Sequence, residues 1–152
     1  MQEKLIEILK SQLLQGERAS SIFKRSLDKS RKLLSDKSGQ TLTDDERETL
    51  ESLTSRYARS LDYLTQKLFR TIDQIELSDE GSILDRFNRF KKRGILREEV
   101  DYRFLKDLRN RISHEYIIEE SDSVIKDVLD NGYLIAEMLE KLEAYCRKNG
   151  FI

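Results

Sequence analysis

The stretch Thr43–Ile75, TDDERETLESLTSRYARSLDYLTQKLFRTIDQI, decides the fold. Thr43 offers a hydroxyl to the free N–H groups of a starting helix, and Glu46 stands three residues on, where its carboxylate can reach back. That is the capping box. Behind it Leu50, Leu53, Tyr57, Leu61, Leu64, Leu68, Ile72 and Ile75 alternate spacings of three and four. At about 100° per residue these side chains form one stripe, which predicts a single long amphipathic helix. Such a stripe serves either a seam between two chains or the core of an antiparallel bundle, the commoner use.

The flanking sequence repeats the pattern. From Gln2 to about Leu34, Leu5, Ile8, Leu9 and Leu13 form one apolar stripe and Ile22, Phe23, Leu27 and Leu34 another. Gly16 falls between them, as a bend or as a glycine tolerated within the helix at a cost of about 1 kcal/mol. Ser35–Gln40 is a stop. Ser78–Ser82 ends the long helix and starts a shorter one through Ile83, Leu84, Phe87 and Phe90, which Gly94 closes as a C-cap. A further helix is expected from Glu98, and a last one from Glu119 along Ile125, Val128, Ile135, Leu139, Leu142 and Cys146 to Gly150. The expectation is a single all-α domain over 1–152, an up-and-down bundle of four or five helices.

Composition agrees. Proline is absent and 38% of residues are charged, which suits long helices with solvated faces and leaves no linker. A lone cysteine, Cys146, excludes an internal disulfide, and its neighbours Leu139, Leu142 and Tyr145 make it a small apolar filler. One Cys and one His build no zinc site, and Arg111 stands where a di-iron Glu-x-x-His element would need its glutamate. Glu3, Lys4 and Glu7 interrupt the first ten residues, so a signal peptide or membrane span is not expected. A cytoplasmic protein without a metal or cofactor is the resulting expectation.

The only histidine lies in Leu108-Arg109-Asn110-Arg111-Ile112-Ser113-His114-Glu115-Tyr116. On a helical wheel Phe104, Leu105, Leu108 and Ile112 occupy the buried arc, while Arg103, Lys106, Asn110, Ser113 and His114 lie on the opposite side, roughly 40–160° from Arg109. An imidazole can take a proton from a 2'-hydroxyl or return one to a leaving oxygen. A guanidinium can fork onto a phosphate and offset the charge that gathers there. Asn110, one turn before His114, can orient the ring or a phosphate oxygen. The bland reading of these residues is an exposed helix end, with Arg109 and Arg111 paired to Asp107 and Glu115 and His114 favoured by the helix dipole. The residues alone leave both readings open.

Charge distribution adds to the first. The chain is nearly neutral overall, yet Arg86–Arg111 carries ten basic residues against four acidic ones, and Arg103 and Lys106 share the face of His114. Such a surplus could hold an RNA backbone through phosphate contacts, or simply form a solvated face.

Arg109-Asn110-Arg111-Ile112-Ser113-His114-Glu115-Tyr116 resembles the R-x-x-x-x-H-x-Y signature of HEPN-domain toxins encoded beside minimal nucleotidyltransferase antitoxins. The match covers under a tenth of the chain. The resemblance implies a homodimer in which two copies of this helix face one another across a cleft, forming a metal-independent ribonuclease site; the expected substrate is RNA, transfer or messenger, between which the sequence does not choose. The resemblance implies that Arg109 and His114 carry the chemistry, with Asn110 assisting; the basic stretch, not the resemblance, offers Arg103, Lys106 and Arg111 as phosphate contacts. The resemblance further implies that Tyr116 is adenylylated by the partner nucleotidyltransferase. The rival expectations are a non-catalytic subunit of a nucleotidyltransferase and a structural helical adaptor.

Overall fold

The Thr43 hydroxyl accepts the Glu46 N–H at 3.2 Å while the Thr43 N–H donates to Glu46 Oε1 at 2.9 Å, closing the capping box that starts α2 (Asp44–Asp62). The computed structural model describes residues 1–114 and 118–152, and the side chains outside residues 115–120. Around α2 are α1 (Gln2–Asp36), α3 (Phe69–Ile75), α4 (Ile83–Lys92), α5 (Tyr102–Ser113), α6 (Ile118–Asn131) and α7 (Tyr133–Lys148). Among the described residues there is no strand. Five rods of twelve or more residues, α1, the α2–α3 rod, α5, α6 and α7, make an all-α bundle, with α4 as a short sixth piece.

The expected stripe is buried throughout, from Leu50 to Ile75. It is not one regular helix, however, because a π-helical segment, Tyr63–Leu68, joins α2 to α3. The wider turn admits one extra residue, so Leu64 and Thr65, and then Leu68 and Phe69, are all buried. The Thr65 hydroxyl donates to the Leu61 carbonyl at 2.9 Å at the entrance to this segment. The rod is therefore covered on more sides than a single stripe requires.

α1 runs unbroken through Gly16, so the bend is not there. Gly16 is buried, and a Cβ on it would lie 3.2 Å from Leu68 Cδ1 and 3.5 Å from Leu139 Cδ1. The glycine lets α1 approach the π segment and α7. Phe23 meets Tyr57 with ring centroids 5.8 Å apart, Arg56 donates to Ser26, and Tyr63 donates to Gln15. Rising numbers on α1 meet falling numbers on α2, so the two are antiparallel. Gly16 with Leu139 and Phe23 with Gly132 give the same sense for α1 and α7.

Two expected boundaries move. The last helix is two helices, α6 and α7, cornering at Gly132, where a Cβ would stand 2.9 Å from the Val128 carbonyl oxygen and 3.0 Å from the Phe23 ring. The apolar seam runs on across the corner, which hides it from periodicity. The motif helix starts at Tyr102 rather than near Glu98, because Asp101 caps it: its Oδ1 accepts the Arg103 N–H at 2.9 Å. Gly94 ends α4 as expected, at φ +75°, with the Ile95 N–H donating back to Phe90 O at 3.0 Å.

α4 is anchored by charge and by stacking. Asp73 of α3 is fully buried, and Arg86 and Arg89 of α4 and Arg93, the C-cap of α4, converge on it at 3.3, 2.7 and 2.6 Å. Arg93 also pairs with Glu76 at 2.6 Å, and Glu76 accepts from the Tyr145 hydroxyl of α7. Phe90 stacks on Phe69 with centroids 3.7 Å apart, so Phe87 and Phe90 belong to the core. Cys146 is buried in the core, and burial pushes its thiol up to about 12.

Candidate functional site

α5 owes its orientation to its apolar stripe. Leu105 and Leu108 are buried, Phe104 and Ile112 pack partly against the same core, and the opposite side faces outward. Arg103, Lys106, Asn110, Ser113 and His114 are exposed, in accord with the wheel. His114 is the C-cap of α5, not a residue within its last turn. Its backbone N–H donates to the Asn110 carbonyl at 3.0 Å, which fixes where the ring leaves the helix. The Asn110–His114 link among the described residues is thus this main-chain bond. Arg103, Lys106, Asn110 and His114 lie on one solvent-facing side over three helical turns.

Arg109 sits at the edge of that face and is held. Its Nε lies 3.0 and 2.9 Å from the two carboxylate oxygens of Asp62, and its Nη2 lies 2.9 Å from Oδ2. Its Nη1 donates to the Ser113 hydroxyl one turn along α5. Hydrogen bonding to Asp62 raises the guanidinium above its ordinary value, with partial burial opposing. Asp62 is the last residue of α2 before the π segment. It was not among the residues singled out from sequence, and the only local signal is an acidic side chain directly after Leu61 of the buried stripe.

Arg111 points elsewhere. It pairs with Asp127 of α6 at 2.7 Å and donates to Ser123 at 2.9 Å, with Asp107 3.7 Å away. Arg103, Lys106, Asn110 and His114 share one face of α5, strung along three turns with Arg109 at its margin, and Arg111 turns to the other side as a tie between α5 and α6. Tyr116, the expected site of modification, lies outside the described residues, as does Glu115, the expected alternative partner of the arginines.

The basic surplus is much reduced by partners from elsewhere in the chain. Arg86, Arg89 and Arg93 close on Asp73 and Glu76, and Arg97 donates to Glu137 of α7 at 2.8 Å. Arg109 and Arg111 have Asp62 and Asp127. Lys92, Arg103 and Lys106 remain exposed, so positive charge facing solvent concentrates on a few side chains, two of them on the side of α5 that carries His114. Among the described residues no group of three or more His, Cys, Asp and Glu side chains is placed to hold a metal ion, and no helix is long and apolar enough to cross a membrane.

Comparison with protein-family models, with curated proteins and with solved structures finds no match.

Proposed function

We propose that the exposed side of α5 is a metal-independent RNA-cleaving site, formed where two copies of the chain set their α5 helices across a cleft. The observation that carries this reading is the arrangement at the end of α5: His114 exposed at the C-cap, and Arg109 oriented at its edge by Asp62 and Ser113.

Asp62 and Ser113 take three of the five guanidinium N–H groups. One N–H on each Nη remains, forming a fork that faces away from Asp62. A scissile phosphate held in that fork has its non-bridging oxygens neutralised as charge builds on them. His114 takes the proton of the adjacent 2'-hydroxyl, whose oxygen attacks phosphorus in line while the bond to the 5'-oxygen breaks. A protonated imidazole, from the partner chain in a dimer, delivers the proton that the 5'-oxygen needs. The products are a 2',3'-cyclic phosphate and a 5'-hydroxyl. Arg103 and Lys106 contact flanking phosphates, and Asn110 positions substrate or ring. Single-stranded RNA, or an exposed segment of transfer RNA, suits this better than duplex because its backbone can turn in line. Arg111 is left to hold α6.

This reading extends to a toxin whose antitoxin is a small nucleotidyltransferase acting on Tyr116, in the manner the sequence resemblance implies. The test is cleavage of total cellular RNA with EDTA present, by wild type and by folded Arg109→Ala and His114→Ala variants. Loss in both variants supports the site. If the unmodified wild type cuts nothing, a subunit that binds a nucleotidyltransferase becomes the better account, and loss of that complex in His114→Ala distinguishes it from a structural adaptor.

A further inference from the structure

We infer that Asp62 is a positioning residue of this site: it holds the Arg109 guanidinium side-on so that the outer fork of its two Nη atoms faces the phosphate. The inference rests on the ribonuclease reading and names a residue in a different helix, 47 positions earlier in the chain, as part of the same site.

The geometry favours positioning over stability. Nε and Nη2 both meet the carboxylate at 2.9–3.0 Å, the bidentate side-on arrangement that fixes the plane of a guanidinium as well as its place. Ser113 then fixes the remaining rotation through Nη1. Yet the pair is open to water, with side chains 34% and 30% exposed, and such a pair contributes at most about 1 kcal/mol to folding. A weakly stabilising contact that fully determines a side chain's orientation matters through that orientation.

The backbone at Asp62 carries a second mark. The regular helix gives way to the π segment directly after it, at Tyr63. An inserted residue disturbs the hydrogen-bond ladder and is found frequently at functional sites. Here the core is buried on both sides of the insertion, with Leu61 before it and Leu64 and Leu68 within it. The insertion therefore absorbs a change of phase without moving Asp62 from the edge that faces α5. An aspartate fits that distance, with one methylene between backbone and carboxylate; a glutamate would push the guanidinium outward by about a bond length.

The test is single-turnover cleavage by wild type, Asp62→Asn and Asp62→Glu, with melting temperature measured on each. Asp62→Asn is expected to melt within a few degrees of wild type while its cleavage rate constant falls tenfold or more and the half-saturating RNA concentration changes less than threefold. A misplacement of about 1 Å in a catalytic group has effects of this order, up to about a hundredfold. Asp62→Glu keeps the charge but displaces the guanidinium, so it is expected to lose rate as well, and a wild-type rate in that variant would show that charge rather than position is what Asp62 supplies. A folded Asp62→Asn that cleaves at the wild-type rate, or faster, overturns the inference and leaves the ribonuclease reading intact. A wild type that cuts no RNA overturns that reading and the role of Asp62 with it.

Discussion

Replacing Asp73 by alanine removes the carboxylate on which Arg86 and Arg89 of α4 and its C-cap Arg93 converge, and its cost can be worked out from the contacts. Asp73 is fully buried, while Arg93, Arg86 and Arg89 are 10%, 16% and 22% exposed. Removing one partner of a buried ion pair costs about 3–5 kcal/mol, because the other charge is left without compensation in a poorly hydrated place. Two features move this cluster to the lower end. Arg93 keeps Glu76 at 2.6 Å, and Arg86 and Arg89 are near enough to the surface to turn toward water. The expected loss is therefore about 3 kcal/mol, or roughly 6–12 °C in melting temperature for a domain of this size. Denaturant unfolding followed by circular dichroism measures it, and Asp73→Asn, which keeps the volume, separates lost charge from an added cavity. Arg86→Ala removes the longest of the three contacts and should cost under about 1 kcal/mol. An Asp73→Ala loss below about 1 kcal/mol would refute the claim that this cluster, rather than the Phe69–Phe90 stack, anchors α4.

Three further outcomes follow from the packing and the ionisable groups. Burial, and then the hydrogen bond and like charge of Glu17, raise the Glu143 carboxyl to about 7. A raised folded value means that the stabilisation is complete below about 4.5, the carboxyl's ordinary value, and is lost as pH rises through 7. Discounted for solvent on the exposed side, that loss is about 1–2 kcal/mol, and Glu143→Gln should flatten stability between pH 5 and 8. Gly132→Ala sets a methyl 3.0 Å from the Phe23 ring and 2.9 Å from the Val128 carbonyl, so it should destabilise by about 1–3 kcal/mol in thermal melts. Cys146, buried and with its thiol near 12, should react with a thiol reagent only at the rate of global unfolding.

Much of the bundle can be read from local pattern, because each long helix shows its buried side at spacings of three and four. Thr43–Glu46 marked a real start, and Gly94 a real stop. The π segment is hidden for the same reason that the helix was visible: one inserted residue only exchanges a three for a four in the spacing. The corner at Gly132 is hidden because Val128, Ile135 and Leu139 continue a seam through it. At the site, the wheel placed Arg103, Lys106, Asn110 and His114 outward, since exposure on a helix follows from its period. Pairing does not follow from any local rule. Arg109 with Asp62, Arg111 with Asp127 and Arg97 with Glu137 each join residues that only the packed bundle brings together, so the surplus of charge in the linear sequence overstated what reaches the surface.

In the proposed reaction the 2'-hydroxyl of the substrate is the nucleophile, with His114 moving its proton and Arg109 holding the phosphate. The most direct measurement uses a short RNA that the protein cuts at one position, with EDTA present, beside the same RNA carrying a single 2'-deoxyribose at that position. The expected result is a 2',3'-cyclic phosphate and a 5'-hydroxyl from the first, no cut at the substituted position in the second, and no cut in either with His114→Ala. Cleavage of the deoxy-substituted strand, or products ending in a 5'-phosphate and a 3'-hydroxyl, would contradict it.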